Sequence, residues 1–290
     1  MWGLKSDIHT HKFIQGAFYK NFKKMGFEAV WVDDLAKNVN LVNRGDIIFA
    51  VDVASKFLPI VKGAKYVLHN ISAEKIGLGE NYINLQVHTS SATGEKFGIP
   101  YVRWDSSRRT LFQPWGVPTS PREWRDPKEN KSKAEYWVGS IWNNDLNQGN
   151  SVFMEGYIRT LKENGIKFSQ HGTPSRIHPR GISESKSMKL VNRSSIGAAV
   201  VGEWQRENNY IPCRLFKNVA SGVAPSSNSD FSELFGLSGG IFDANPEVLI
   251  TKVLELKYLE KVELVAAAQS KILPYTYYAG IHRILTLLYS

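Results

Sequence analysis

The sequence predicts an α/β protein made of two parallel-sheet domains in tandem. Three observations carry this. Short apolar runs at residues 28–33, 46–51 and 64–69 alternate with helices or turns, the rhythm of parallel strands joined by crossovers. Residues 115–133 then change in composition, with Gly116, Pro118, Pro121 and Pro127 set among charges, as an interdomain linker would. After it the strand–helix rhythm restarts at residues 135–141.

In chain order, residues 1–4 are expected to form a first strand. A helix follows over 12–25, with Phe13, Ala17, Phe18 and Phe22 on one apolar face and Gly26 at its end. The strands at 28–33, 46–51 and 64–69 come next, then shorter ones near 82–85 and 101–104. In the second half, strands are expected at 135–141, 166–170, 196–201 and 239–243, and helices at 151–164, 184–193 and 246–260. A last helical region covers 262–288, interrupted at Pro274. The resulting division is an N-terminal domain over 1–115, a linker over 116–134, a second domain over 135–260, and helices over 261–290 that return towards the first domain. Ligands of such sheets bind beyond the carboxyl ends of the strands, so two domains facing each other suit a two-substrate reaction in a cleft.

Composition narrows the function. The chain has 290 residues, 42% of them hydrophobic, ordinary for a soluble globular protein. No apolar run reaches the ~18 residues of a membrane span, and the start lacks a signal-peptide pattern. The single cysteine, Cys213, excludes an internal disulfide and fits a reducing, cytoplasmic setting. A net charge of +9 favours anionic partners such as a nucleotide, an acidic glycan or a membrane surface met peripherally. Zinc spacing, a basic heptad and RNA-binding aromatic motifs are all missing, which disfavours specific nucleic-acid binding.

The densest chemistry lies in residues 209–231. A helix over 214–221 follows Pro212 and stops at Gly222. Arg214, Lys217, Asn218 and Ser221 fall on one polar face at i, i+3, i+4 and i+7. A short buried strand at 223–225 leads to a second helix start, with Ser229 or Asp230 as the cap. Two helix N-termini with two cations suit a diphosphate. A polar helix face that is merely solvated has the same pattern. Elsewhere, the loop after the first strand carries Asp7, His9 and His11, and His69-Asn70 ends an apolar strand, where an imidazole can take a proton. The loop 140–149, beginning at Ser140, holds amides suited to phosphate or sugar hydroxyls but is neither a dinucleotide fingerprint nor a Walker loop. His171-Gly172, Arg176, Arg180 and Glu203 to Arg206 lie at the ends of the following strands. HExxH, GxSxG and cysteine clusters are lacking, and helix termini with arginines can stabilise a leaving diphosphate without a metal.

The stretch 216–225, F-K-N-V-A-S-G-V-A-P, resembles the nucleotide-sugar motif of glycosyltransferases of the GT-B fold, family 1/4-like, in which E-x7-E leads into A-x-A-S/C-G and a valine–proline strand. His69-Asn70 resembles the strand-end histidine of their first domain, residues 113–116 the crossover, and residues 275–288 the returning helix. The resemblance implies two Rossmann-like domains facing across a cleft and transfer of a hexosyl or deoxyhexosyl group from a nucleotide-diphosphate sugar to a hydroxyl of a glycan or lipid-linked glycan. It implies no cofactor beyond that co-substrate and no obligatory metal. The implied donor contacts are Ser140, Gly172, Arg180, Glu203, Tyr210, Arg214, Lys217, Asn218, Asn228 and Ser229. His9, His11 and His69 are the catalytic candidates, with Asp7 and Asn70 on the acceptor side. The chain departs from the motif where Asn209 and Lys217 replace its two glutamates and Gly139-Ser140 replaces Gly-Arg. A non-catalytic module that binds a nucleotide sugar or anionic glycan is the alternative, with an epimerase or phosphorylase on the same fold behind it.

Overall fold

The computed structural model describes residues 1–7, 11–72, 77–78, 81–90, 92–129, 133–171, 182–236 and 241–290. Its elements in chain order begin with α1 (His11–Lys24), β1 (Ile47–Val51), β2 (Lys65–His69), β3 (Tyr82–Gln86), β4 (Glu95–Lys96), β5 (Arg103–Asp105) and β6 (Thr110–Phe112). Then come β7 (Ala134–Val138), α2 (Ser151–Glu163), β8 (Lys167–His171), α3 (Glu184–Val191), α4 (Glu203–Glu207), α5 (Cys213–Ala220) and β9 (Ser226–Ser227). The chain closes with α6 (Ser232–Phe235), β10 (Ile241–Phe242), α7 (Pro246–Glu255), α8 (Tyr258–Ile272) and α9 (Tyr277–Tyr289). Contacts divide it into one unit of Met1–Pro118 with Tyr277–Ser290, and a second of Thr119–Thr276.

In the first unit, β1 and β2 are apolar runs buried on both faces, as central parallel strands are. The sheet order is β1-β2-β3-β6-β5-β4. β1, β2, β3 and β6 are parallel, in registers that set Val51 beside His69 and Gln86 beside Phe112. One face packs Ile48, Ala50, Tyr66 and Leu68 against Trp2, Ala64 and Leu78. On the other, Phe49 meets Phe18 and Phe22 of α1 at 5.0 and 5.2 Å, and Phe18 meets Tyr277 of α9 at 4.7 Å.

Several expectations for this unit need correction. Residues 1–4 make only an isolated parallel bridge, Trp2 to Val32, because Gly3 (φ +86°) and Leu4 (φ +60°) leave extended geometry at once. Residues 28–33 contribute no more than the other side of that bridge. The strand near 101–104 is β5, antiparallel to β6, and begins after Tyr101 turns through φ +58°. Phe13 is 39% exposed, while Gln15 and Asn21 turn inward. Their amide N–H groups find carbonyls there: Gln15 Nε2 donates to Trp2 O at 3.1 Å and Asn21 Nδ2 to Ala17 O at 2.9 Å.

The second unit has two regular parallel ladders, β7 with β8 and β9 with β10. Residues 194–201 run parallel between them, yet form no regular ladder, contrary to the expected strand at 196–201. Gly197, at φ +71°, breaks the extended path. Side chains replace the missing backbone pairs. On the β7 side, Glu135 accepts from Ile196 N and Gly197 N, both at 3.0 Å, and Tyr136 N donates to Ser194 Oγ at 3.0 Å. On the β9 side, Ser227 Oγ donates to Ala199 O at 2.7 Å, and the Asn228 amide clasps Val201 N and O at 2.8 and 2.9 Å. The spatial order is therefore β8, β7, 194–201, β9, β10, with the order reversing between β7 and 194–201. Trp137, Ile196, Ala198 and Val200 form the core with Met154, Tyr157 and Leu161 of α2 and Leu249, Ile250 and Val253 of α7. Residues 119–129 are pinned to this unit: Arg125 N donates to Ala220 O at 2.9 Å, and a Cβ on Gly222 (φ +83°) would stand 2.5 Å from Asp126 O.

Candidate functional site

The carboxyl edge of the second unit's strands, at the point where their order reverses, is where an open parallel sheet offers a crevice. β7 delivers Val138, Gly139 and Ser140 to that edge. α5 begins beside it, and its cap residue, Pro212, supplies no side-chain acceptor for the first-turn N–H groups. Arg214, in that first turn, folds across the end of β7. Its Nε and Nη2 donate to Val138 O at 3.2 and 3.1 Å, and its guanidinium carbon lies 3.6 Å from the centroid of the Trp137 ring. Gly139 is required beneath it: φ is +136°, and a Cβ would fall 2.2 Å from Arg214 Nη2. Burial lowers the Arg214 pKa to about 10, which leaves the group cationic at neutral pH. Nη1 makes no hydrogen bond among the described residues. Tyr210 is close enough to feel the Arg214 charge, and burial raises its hydroxyl. One turn on, Lys217 Nζ pairs with Glu184 Oε2 at 3.4 Å, both side chains about a third exposed (28% and 33%).

The other expected donor residues divide. Asn218 and Ser221 are not on the polar face. Both are buried, Asn218 Nδ2 donating to Gly197 O at 2.6 Å and Ser221 Oγ to Lys217 O at 2.6 Å, because α5 is covered on that side by the strand segment it supports. Asn228 is 8% exposed with its amide committed to Val201. Ser229 lies next to it, its N–H donating to Ser227 Oγ at 3.2 Å, and the helix that follows, α6, has only four residues, with Phe231 at the cap position and Asp230 Oδ1 accepting from Ser232 N at 2.8 Å. Glu203 stands at the start of α4, paired with Arg206 at 2.6 Å. With Arg159, Arg206 and Asn228 it lines a hollow of about 510 Å³ beside α2, which Arg214 and Lys217 do not reach. Gly172 and Arg180 lie outside the described residues, as does Arg176.

In the first unit the corresponding edge holds imidazoles. His69 ends β2 and its Nδ1 lies 2.8 Å from Leu85 O. A carbonyl only accepts, so Nδ1 carries a proton and Nε2 bears the ring's basic lone pair. His11, in the first turn of α1, meets this ring edge-on at 5.3 Å, and Trp115 meets it at 4.9 Å. Asn70 and Asp7 are exposed beside these residues in sequence, Asn70 at φ +60°. His9 falls outside the described residues. Among the described residues, no three His, Cys, Asp or Glu side chains are placed to hold a metal ion.

Burial lowers the pKa of His69 below 6.5. It does the same to His88, just beyond β3, whose pKa the nearby His69 charge lowers further. Both therefore take up protons more readily in the unfolded chain. Their contribution to stability is present above about pH 6.5 and is lost as the pH falls through the folded values. The thermal midpoint is expected to drop between about pH 7 and pH 5.5. A His69→Asn variant, which keeps a donor for Leu85 O, should drop less, and equal slopes would refute this account.

Sequence reasoning missed His88 and Glu184. His88 follows an apolar strand as His69 does, so the same strand-end rule finds it. Glu184 looks like an ordinary acidic residue in a helix first turn, and nothing local links it to Lys217.

No protein-family model matches the chain. Curated relatives include pantothenate synthetase of Shewanella halifaxensis (strain HAW-EB4), 26% identical over 135 residues, covering 43% of this chain and 47% of that protein. Pantothenate synthetase of Shewanella oneidensis is 28% identical over 116 residues, covering 37% and 41%. The chain thus spans about half the length of the curated relatives it matches, or less. Among solved structures, the apo form of OtsA covers 95% of this chain and 78% of its own, with a TM-score of 0.52 at 10% identity. The fold is GT-B. At that identity the likeness speaks for two Rossmann-like domains and not for a substrate. Within the GT-B frame, the Arg214 site belongs to the second Rossmann-like unit and the histidine group to the first. No described helix is long and apolar enough to cross a membrane.

Proposed function

We propose that this chain is a glycosyltransferase that moves a sugar from a nucleotide-diphosphate donor to a hydroxyl of a glycan or lipid-linked glycan. The observation that supports it most is Arg214, held over the end of β7 beside the uncapped N-terminus of α5. As the sugar–phosphate bond breaks, negative charge grows on the departing diphosphate. A fixed guanidinium and first-turn N–H groups aimed at that charge stabilise the transition state more than the ground state. Ser140 and Tyr210 flank this group and are assigned to the donor. In the first unit His11 is assigned the base that takes the acceptor proton, with His9 as its neighbour in that role. His69 has one nitrogen committed to Leu85 O and is assigned to positioning. This chemistry asks for no metal. The GT-B fold, shared with OtsA, supports this reading.

Lys217 stands where the glycosyltransferase motif that this stretch resembles carries the carboxylate that takes the ribose hydroxyls. Its partner Glu184 supplies a carboxylate 3.4 Å away, and we assign the ribose to it. A Glu184→Gln variant should raise the KM for donor about tenfold with little change in kcat, as loss of uniform binding does. An unchanged KM would remove Glu184 from the site. The Lys217 replacement also favours the second reading, a binding module without turnover. Calorimetry against a panel of nucleotide sugars, with donor hydrolysis and transfer assayed in parallel, separates the two. Binding with turnover supports the enzyme, binding without turnover the module, and no binding to any member overturns both.

A further inference from the structure

The hollow of about 510 Å³ beside α2 has no part in the transfer chemistry. It opens at the carboxyl edge of the second unit, where Val201 ends the segment 194–201, Asn228 follows β9 and Ala244 follows β10. Open parallel sheets take ligands at that edge, and the volume is that of a small-molecule site. Arg214 and Lys217 are absent from its lining, so it is a different place from the donor edge.

Its charged side chains are Glu155 and Arg159 of α2 and Glu203 and Arg206 of α4. Two carboxylates and two guanidiniums cancel in charge. Glu203 Oε2 already accepts from Arg206 Nη2 at 2.6 Å. Glu155 and Arg159 stand at i and i+4 on one helix face, yet both are exposed and neither makes a hydrogen bond or ion pair with the described residues. Asn147, in the loop after β7, accepts from Asn143 Nδ2 at 2.8 Å through its amide oxygen, which leaves its amide N–H groups for a ligand. The apolar part of the wall includes Val152, Phe153 and Pro246, with Val152 62% exposed.

This mixture disfavours a simple ion. An anion would meet two carboxylates and a cation two guanidiniums. A wholly apolar ligand would strip water from those charges and replace it with nothing. A sugar hydroxyl both donates and accepts, and neighbouring hydroxyls span the two prongs of a carboxylate or a guanidinium. The C–H face of the sugar ring covers apolar side chains at the same time. We propose that this hollow is a binding site for a neutral oligosaccharide, apart from the site of transfer. It stands whether or not the Arg214 edge binds a donor.

The test is titration calorimetry of the full chain with neutral trisaccharides of glucose, galactose, mannose and N-acetylglucosamine, with the trimers of galacturonate and glucosamine as charged comparators. Binding of at least one neutral trisaccharide is expected, with the same affinity at low and high salt. Val152→Trp fills the hollow from an exposed position and should abolish binding. Arg159→Met removes the fork but keeps the apolar stem, and should weaken binding about tenfold. An unchanged thermal midpoint confirms folding in both. Arg214→Ala should bind the trisaccharide as the parent does, and Arg159→Met should bind nucleoside diphosphates as the parent does, so failure here and failure at the donor edge are told apart. The proposal is overturned if no neutral trisaccharide binds, or if Val152→Trp and Arg159→Met bind like the parent. Binding of the galacturonate trimer alone, released by salt, would also overturn it and assign the hollow to an anion.

Discussion

An Arg214→Ala variant is expected to lose about 10²–10³ in kcat for sugar transfer, the range for removing one preorganised donor from a developing negative charge. The loss should fall on kcat more than on KM, because the diphosphate gains charge on the leaving oxygen only as the bond breaks. Arg214→Lys should recover little. An ammonium keeps the charge but cannot both bond Val138 O through two nitrogens and stack its plane on Trp137. Gly139→Ala offers an independent approach to the same site, since its Cβ would displace the guanidinium without removing it. Single-turnover measurements with a donor that the parent hydrolyses provide the readout, alongside circular dichroism to confirm folding. Full activity in Arg214→Ala would sink the assignment of the donor diphosphate to this edge.

The second large effect is structural. Glu135 is 1% exposed and accepts from Ile196 N, from Gly197 N and from Tyr157 Oη, the last at 2.9 Å. Burial pushes its pKa up, while these donors and the Lys261 charge act to hold it down. Glu135→Ala leaves three buried donors without an acceptor and empties space in the core. A destabilisation of about 3–5 kcal/mol is expected, as when one partner of a buried charged network is removed. For a chain of this size that lowers the thermal midpoint by roughly 10 °C. Glu135→Gln retains one acceptor oxygen and should cost less. A midpoint for Glu135→Ala within a degree or two of the parent would mean that 194–201 is held by its apolar side chains alone.

These two residues also show how far the sequence could be read. The place of Arg214 in the first turn of an amphipathic helix was legible, since it follows Pro212 two residues on. Glu135 was not, because a glutamate inside Ala134–Val138 carries no sign that its carboxylate will stand in for a strand ladder two crossovers away in the chain. Apolar runs located β1, β2, β3 and β8 to within a residue, the signal being continuous in β1 and β2, which are buried on both faces; β7 was found at its start, but the expected strand ran three residues past Val138. The antiparallel pair β4 and β5 left little trace, being two and three residues long. Asn218 and Ser221 share spacing with Arg214 and Lys217 but face the interior, and periodicity alone cannot tell a polar residue that meets water from one that braces a backbone. The histidine group was half visible. His69 announces itself by ending an apolar strand, whereas its contact with His11 depends on how α1 returns across the sheet.

The helix α9 is the last element of the chain, yet Tyr277 closes the aromatic cluster around Phe18 and Phe49 near the beginning. Synthesis on the ribosome therefore completes the two units out of order. Residues 119–276 can emerge whole and fold while the sheet made earlier still lacks one of its covering helices. Until α9 arrives, Phe18 lacks the Tyr277 ring that packs on it, so the first unit completes its aromatic core only after the second has been made.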